Sequence, residues 1–319
     1  MDEGELFDLV IIGGGPGGLT AGLYAMRAAL KTVLIEKGLP GGQINLTKDV
    51  ENYPGYENIM GFDLSQKFLL HTQAYGLEVR QAEVVAVDPG LAYHTVRLAN
   101  GETIATLAVI LATGGSPRKL GVPGELEYYG RGVSYCATCD GFFFRDKNVV
   151  VVGGGDTALE EALYLAKITR RVSLTHRRDA FRASRILQQR VEAEAKIDVL
   201  WNTVVTAVKS NAQGVNAVDL QDTQTGASRE LTTDGVFIFI GFDPNNQLVP
   251  AGTRLDHDGY VMTDERCETN ISRIFAIGDL RQKFAKQIVI AAADGCTAAL
   301  AAALEVEMKK CQIDPRPQG

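Results

Sequence analysis

An α/β fold in two similar halves, the second inserted into the first, is what this 319-residue sequence predicts. Three features predict it. The apolar run 7–12 leads into Gly13-Gly14-Gly15-Pro16-Gly17-Gly18 and then into a helical stretch. The same succession returns at 148–158, where Gly153 and Gly155 repeat Gly13 and Gly15 at one constant offset. Near the C-terminus one more apolar run, 274–277, ends in Gly278-Asp279, the kind of strand that completes a sheet begun earlier in the chain.

Composition is that of a globular protein, 45% hydrophobic and 22% charged, and the length suits about two domains. A formal net charge of −7 argues against non-specific binding to nucleic acid or to an anionic membrane. The first five residues are acidic and the apolar run behind them is strand length, so no export signal is expected. No apolar stretch of about 18 residues is read, and no membrane span is expected. Five cysteines, without the spacing of a secreted framework, suit a reducing cytoplasm.

In chain order, 7–12 reads as a buried parallel strand, 19–30 as a helix and 32–36 as the next strand, ending at Glu36. A glycine-spaced turn that leaves a strand, opens a helix and meets an acid at the end of the next strand is a dinucleotide signature. Gly13 permits the tight turn, Gly15 lets backbone approach a pyrophosphate, and Gly18 lets helix pack on strand. The helix N-terminus supplies N–H groups to the anion, and Glu36 suits a ribose without a 2′-phosphate. The bland alternative is a glycine turn without ligand. Gly41-Gly42-Gln43 and the loop around Asn52 read as places of close backbone approach. A helix is expected over 65–74, alternating strands over 77–106 with a hairpin turn at Asn100-Gly101, and a buried strand over 107–111. Pro117 and Pro123-Gly124 mark a connector.

The second half repeats the design: strand 148–152, the turn Gly153-Gly154-Gly155-Asp156-Thr157-Ala158, a helix to about 168, and strand 172–175. Strand-like segments follow at 197–208, 215–222 and 229–232, and a last strand at 236–240. Each half is thus a Rossmann-like dinucleotide-binding domain, βαβ with a small antiparallel meander. The step from Gly13 to Glu36, taken from Gly153, lands on His176, with Arg177, Arg178 and Arg182 following. Guanidinium forks match phosphate oxygens, so this second site is read as preferring a 2′-phosphate; a solvated charged face is the competing reading. Asp279 stands where a strand's C-terminal end meets the ligand crevice, or else caps a helix. A helix is expected over 286–309, and the tail 311–319 is expected to fray.

Between the halves lies Cys136-Ala137-Thr138-Cys139-Asp140. On a helical turn, i and i+3 share a face and the sulfurs can meet. A cysteine at a helix N-terminus has its thiolate stabilised, and Asp140 is placed to move a proton. Half of a zinc site or a pair of inert cysteines has the same spacing. Zinc, however, asks for four ligands, and Cys267, Cys296 and Cys311 form no second pair, nor do His71, His94, His176 and His257 show ligand spacing. No metal is expected. Two dinucleotide turns and a thiol pair in one chain form a relay, which a flavin can join as hydride acceptor and as electrophile for a thiolate.

Taken together, GGGPGG at Gly13, GGQI at Gly41, ENYPG at Glu51, ATGG at Ala112, CATCDG at Cys136, GGGDTALEEA at Gly153, HRRDAFRA at His176 and AIGD at Ala276 resemble the low-molecular-weight thioredoxin reductases, over residues 7 to about 305. That resemblance implies a discontinuous FAD-binding domain, 1–117 and 247–319, and an inserted NADPH-binding domain, 118–246, that carries the cysteines. It implies FAD near Gly13, Gly15, Gly18, Glu36, Gly41, Gly42, Gln43, Asn52, Asp279, Lys286, Gln287 and Ile288. It implies NADPH near Gly153, Gly155, Asp156, Thr157, Ala158, His176, Arg177, Arg178 and Arg182. Cys139 would face the flavin, Cys136 would attack thioredoxin, Asp140 would serve as acid and base, the inserted domain would swing, and the chain would be a homodimer. Lys286 departs from the arginine common at that position and loses its fork. A dithiol oxidase and a peroxidase-coupled reductase of the same fold are the related alternatives.

Overall fold

The computed structural model describes residues 6–47, 49–212 and 214–313. They divide into two compact units, one of residues 6–47, 53–116 and 243–313, the other of 49–52 and 117–242.

The first unit is built on a seven-stranded sheet. Strand β1 (Leu6–Ile12) is buried at six of its seven positions, the continuous apolar run of a parallel strand covered on both faces. Helix α1 (Pro16–Arg27) begins at the proline rather than at Leu19. A proline in the first turn has no N–H to lose and its φ is already helical. The helix also ends earlier than expected: Ala29 turns left-handed at φ 56, and Leu30 drops into the core. Strand β2 (Thr32–Glu36) lies parallel to β1. Helix α2 (Gly61–Gln73) starts before the expected Ser65, and β3 (Glu78–Gln81) adds to the edge beside β2.

Strands β4 (Val84–Asp88), β5 (His94–Leu98) and β6 (Thr103–Leu111) form an antiparallel run, with the turn at Asn100-Gly101 between the last two. The sequence suggests a meander and a separate buried strand; β6 is both. Its N-terminal half pairs with β5. Its C-terminal half pairs in parallel with β15 (Ile274–Ala276), which comes from the far end of the chain. The sheet order is therefore β3-β2-β1-β6-β5-β4, with β15 on β6.

The last helix, α6 (Ile288–Ile313), extends past the expected Lys309; the rest of the expected frayed tail, 314–319, lies outside the described residues. Ala298, Ala299, Ala301, Ala302 and Val306 are buried with α1 in one core. The two helices meet at glycines: a Cβ on Gly295 would fall on the Gly17 carbonyl oxygen, and one on Gly17 would stand 3.0 Å from the Ala291 oxygen. The expectation that no stretch is apolar enough to span a membrane is corrected here, because residues 288–312 pass that test by length and composition. The physical reason is the run of alanines that lets α6 lie close on α1, and a core helix passes the same test.

The second unit holds a five-stranded parallel sheet: β7 (Val133–Ser134), β8 (Asn148–Gly153), β9 (Arg171–Thr175), β10 (Ile197–Leu200) and β14 (Gly235–Phe239), in the order β7-β14-β8-β9-β10. Helix α4 (Asp156–Ala166) follows β8. The single strand-like stretch 197–208 is broken at Asn202, which is left-handed at φ 49, so that β10 ends there. The chain then enters an antiparallel sheet of β11 (Thr203–Asn211), β12 (Gly214–Asp222) and β13 (Ser228–Thr232). Helix α5 (Arg185–Ala193) was not anticipated, since only Leu187 and Val191 are buried on it; Ser184 at its N-cap was the available signal. The chain leaves the first unit and returns along two paired segments, Gly115–Pro117 and Phe242–Pro244. Asn245 ties that return, donating from Nδ2 to the Thr113 carbonyl at 2.8 Å while its own carbonyl accepts from Thr113 Oγ1 at 2.7 Å.

Gly295→Val places branched carbon where backbone already stands. It is expected to lower unfolding stability by about 2 kcal/mol or more, read as a lower Tm with unchanged far-ultraviolet circular dichroism at low temperature.

Candidate active site

Helix α3 (Ala137–Asp140) is a single turn, with extended Cys136 (φ −147, ψ 105) as its N-cap. The spacing does what i and i+3 on one turn allow: Cys136 and Cys139 are joined by a disulfide, with their Cα atoms 5.3 Å apart. Both cysteines are half-buried, whereas Ala137 between them is fully buried and anchors the turn in the core. The Asp140 N–H donates to the Cys136 carbonyl at 3.2 Å, closing the turn.

Ser134, at the end of β7, organises this turn and was not singled out in the sequence. Its hydroxyl donates to Asp140 Oδ2 at 2.5 Å and accepts the Cys136 N–H at 3.1 Å. One buried hydroxyl thereby aims the acid and holds the N-cap. The Tyr129 and Tyr135 rings meet tilted, with centroids 5.2 Å apart, and the Lys119 ammonium is 4.4 Å from the Tyr135 ring centre. Burial raises the Tyr129 phenol, and the negative charge of Asp140 raises it further. Tyr135 donates to Glu125 Oε1 at 2.8 Å; burial and then that bond hold its phenol protonated.

In the first unit the glycine turn, Glu36, Gly41 and Gly42 meet at the end of β1. Gly13 is left-handed at φ 110, and a Cβ there would strike the Ala112 carbonyl. A Cβ on Gly18 would strike the Gly13 carbonyl, so helix and strand touch through backbone. Around Gly15 nothing lies within 4 Å of where a Cβ would stand. That opening, at a helix start with no side-chain cap and no acid in its first turn, fits a pyrophosphate. Glu36 Oε2 accepts the Gly14 N–H at 2.7 Å and Oε1 accepts the Gly38 N–H at 2.8 Å. A carboxylate has about four acceptor positions, so capacity for a ribose remains.

The Gly41 N–H donates to the Gly14 carbonyl at 2.7 Å, which brings Gly41 and Gly42 over the turn. The Gln43 side-chain amide donates to the Gly115 carbonyl. Asn52 is exposed in the loop before Tyr53. Asp279 lies in a short 3-10 turn, Gly278–Leu280, whose N-cap is Ile277, so Asp279 is not a capping residue. Burial raises its carboxyl, with Lys283 and Lys286 opposing. Gly278 donates its N–H to Asp294 Oδ2 at 3.1 Å, and Asp294 in turn accepts from Arg281 at 2.9 Å and Lys283 at 3.0 Å. This charged support behind the Gly278-Asp279 turn had no signature in the sequence. The Lys286 ammonium stands 4.3 Å from the centre of the Tyr260 ring, and burial lowers its pKa. The Gln287 carbonyl accepts the Ala291 N–H at 2.9 Å, and Ile288 opens α6.

In the second unit, Gly155 is again open where a Cβ would stand, while Ala158 is buried behind the turn and Thr157 is exposed. Asp156 Oδ1 accepts the Ser184 N–H at 2.7 Å. Arg177, Arg178 and Arg182 are exposed, and none pairs with a carboxylate among the described residues. His176 has surroundings unlike those of the three arginines. It is buried, and its two ring nitrogens lie 2.9 Å from the Gly153 carbonyl and 3.0 Å from the Ala180 carbonyl. The reason is steric: Gly154 has no Cβ, so the ring fills that place and offers a ligand neither nitrogen.

A redox disulfide on one turn, in a chain with two glycine turns that each lead a strand into a helix, is the arrangement of a disulfide oxidoreductase that works with dinucleotides. The chain belongs to the pyridine nucleotide-disulphide oxidoreductase family, which matches residues 7–295. The thioredoxin reductase of Bacillus subtilis strain 168 is 46% identical over 299 residues, 94% of each chain. That of Listeria monocytogenes is 44% identical over 312 residues, 98% of each. The solved thioredoxin reductase of Streptococcus pyogenes superimposes with a TM-score of 0.91 at 43% identity, over 95% of this chain and 99% of that one. Family membership implies a flavin and a pyridine nucleotide as cofactors.

Glu161 on α4 has Oε2 buried without a partner. Burial, and then Glu160, push its pKa up to about 7 from 4.5. The unfolded chain therefore loses this proton first as pH rises, and stability falls from about pH 4.5 through about pH 7. Glu161→Gln is expected to flatten that slope, stabilising the protein at pH ~8 by about 1–2 kcal/mol after discounting for partial exposure and changing little at pH ~4. Urea melts of both proteins across that range check it.

Proposed function

We propose that the protein is an NADPH-dependent thioredoxin reductase, with FAD held by the discontinuous unit and NADPH by the inserted one. The observation that carries this reading is the Cys136–Cys139 disulfide, set on a turn with Asp140 in a chain of this family. When bound, NADPH supplies a hydride and the flavin passes its two electrons to a disulfide. Two electrons and two protons convert Cys136–Cys139 to a dithiol. By the family resemblance, Cys139 would be the sulfur that receives the electrons from the flavin. Asp140, aimed by Ser134, takes and returns the proton.

The Cys136 thiolate then attacks the disulfide of thioredoxin. A Cys136–thioredoxin bond forms as the partner's S–S bond breaks, and the released sulfur takes a proton from Asp140. Cys139 next attacks the Cys136 sulfur, which restores the internal disulfide and frees the second thiol of thioredoxin. Phe142, just past the turn and half exposed with the Arg145 guanidinium 4.8 Å from its ring centre, offers the partner an apolar contact.

Arg177, Arg178 and Arg182 support NADPH over NADH, since three exposed guanidinium groups suit a 2′-phosphate, whereas the carboxylate Glu36 at the equivalent position of the first unit suits a plain ribose. Leu300, Leu304 and Met308 are exposed at successive i+4 positions on α6, an apolar stripe that a second copy of the chain would cover in a homodimer. A reducing compartment, the cytoplasm, suits a pair that must return to dithiol, and buried Cys267, its thiol pushed up to about 11, is inert there.

Anaerobic titration of the yellow protein with NADPH, followed by thioredoxin, is expected to bleach and then restore the flavin spectrum while thioredoxin dithiol accumulates. Cys139→Ser is expected to lose thioredoxin turnover by at least about a thousandfold. A flavin-loaded protein that turns over none of several thioredoxins removes the reading. Arg177→Ala is expected to raise the NADPH KM about tenfold, at a cost of ~1.4 kcal/mol, and to leave the NADH constants unchanged. Steady-state kinetics with both nucleotides check this.

A further inference from the structure

The His176 ring sits between two groups that can only accept. Nδ1 is 2.9 Å from the Gly153 carbonyl oxygen and Nε2 is 3.0 Å from the Ala180 carbonyl oxygen. A neutral imidazole carries one N–H and must turn a lone pair toward one of these oxygens; only the imidazolium donates to both. The two oxygens belong to different elements. Gly153 ends β8 and opens the glycine turn, whereas Ala180 lies in the segment that carries the arginines. The same two elements are tied by the Arg182 N–H to the Gly154 carbonyl at 2.8 Å and by the Ser184 N–H to Asp156 Oδ1 at 2.7 Å.

The ring is walled by Phe181 at 5.4 Å and Trp201 at 6.2 Å. Burial opposes the imidazolium first, the two carbonyls favour it, and Arg177 and Arg178 oppose it. No carboxylate acts on the ring from the glycine turn, from the arginine segment or from the Trp201 turn among the described residues. The free protein therefore holds a geometry suited to a charge that its own surroundings discourage. An anion neutralising the arginines would remove part of that opposition.

We propose that a 2′-phosphate bound by Arg177, Arg178 and Arg182 drives protonation of His176, whose imidazolium then clamps the arginine segment to the glycine turn, so that phosphate recognition and pyrophosphate binding are coupled through one proton. This rests on the NADPH reading of the second unit. His176 is thus a positioning residue: both ring nitrogens face backbone carbonyls. Linkage makes the effect reciprocal. Lower pH strengthens the binding of a 2′-phosphorylated nucleotide while His176 titrates, and binding raises the midpoint of His176. The 2′-phosphate itself, with a second pKa near ~6, contributes in the opposite direction, and does so equally in a protein without the histidine.

The test is a nuclear magnetic resonance titration of the flavin-loaded protein carrying carbon-labelled histidine, free and with saturating 2′,5′-ADP or NAD. His176→Asn assigns the resonance; if that variant does not fold, assignment follows from variants at His71, His94 and His257. The expected result is an upward movement of the His176 midpoint with 2′,5′-ADP and none with NAD. In parallel, the ratio of 2′,5′-ADP affinities, wild type over His176→Asn, is expected to rise about fivefold or more between pH ~8 and pH ~6. If 2′,5′-ADP binds and the midpoint stays where it was, this inference is overturned and the NADPH reading stands. If 2′,5′-ADP does not bind, both fall together.

Discussion

The close approach of backbone to backbone where a strand hands over to a helix is the constraint on which this molecule depends. At Gly13 and Gly18 a single added carbon would land on a carbonyl oxygen. With no carbon there, α1 starts directly behind β1, and its first N–H groups remain open around Gly15. Two of the residues predicted for the first unit's ligand, Glu36 and Gly41, are bonded directly to this turn. Glu36 is held by the Gly14 N–H, and the Gly41 N–H reaches back to the Gly14 carbonyl. The α1–α6 crossing uses the same device at Gly17 and Gly295, so the last helix of the chain is locked against the first.

The second unit uses the same opening with a different way of holding it. Where Glu36 grips the first turn through its carboxylate, His176 grips the second through its ring, lying over Gly154. An acid in that place would leave the three arginines facing a negative charge. An imidazole adds no such charge, and the arginines are exposed. The exchange of one side chain thus alters both the support of the turn and the electrostatic preference of the site. Along the chain between these two turns, the redox pair stands on a single helical turn, which gains its rigidity from Ala137 in the core and from the Ser134 hydroxyl.

Much of the architecture was legible because periodicity and glycine spacing are local. The strands 7–12 and 148–152, the two glycine turns and the one-face spacing of Cys136 and Cys139 follow from hydrophobic run length and from 3.6 residues per turn. Local information failed where a neighbour in space decided. Helix α1 begins at Pro16, whose φ is already helical, because Gly15 and Gly18 let the chain turn straight from β1 into the helix. The strand-like run 197–208 breaks at Asn202, which can adopt φ 49 at small cost. Helix α5 escaped notice because two buried residues make a weak pattern. The alanine-rich α6 is apolar enough to resemble a membrane segment, and only its packing against α1 explains that composition.

By itself the sequence determined the repeated strand–glycine–helix design, the cysteine spacing and the change from an acid to a basic cluster, since each is written in residues close together along the chain. The tertiary structure alone decided that His176 faces two carbonyls, that Ser134 aims Asp140, that Asp294 with Arg281 and Lys283 supports the turn at Asp279, and that β15 returns to pair with β6. The physical reason is that a hydrogen bond depends on where two atoms meet in space. Residues brought together across the chain carry no mark of it in their composition or spacing.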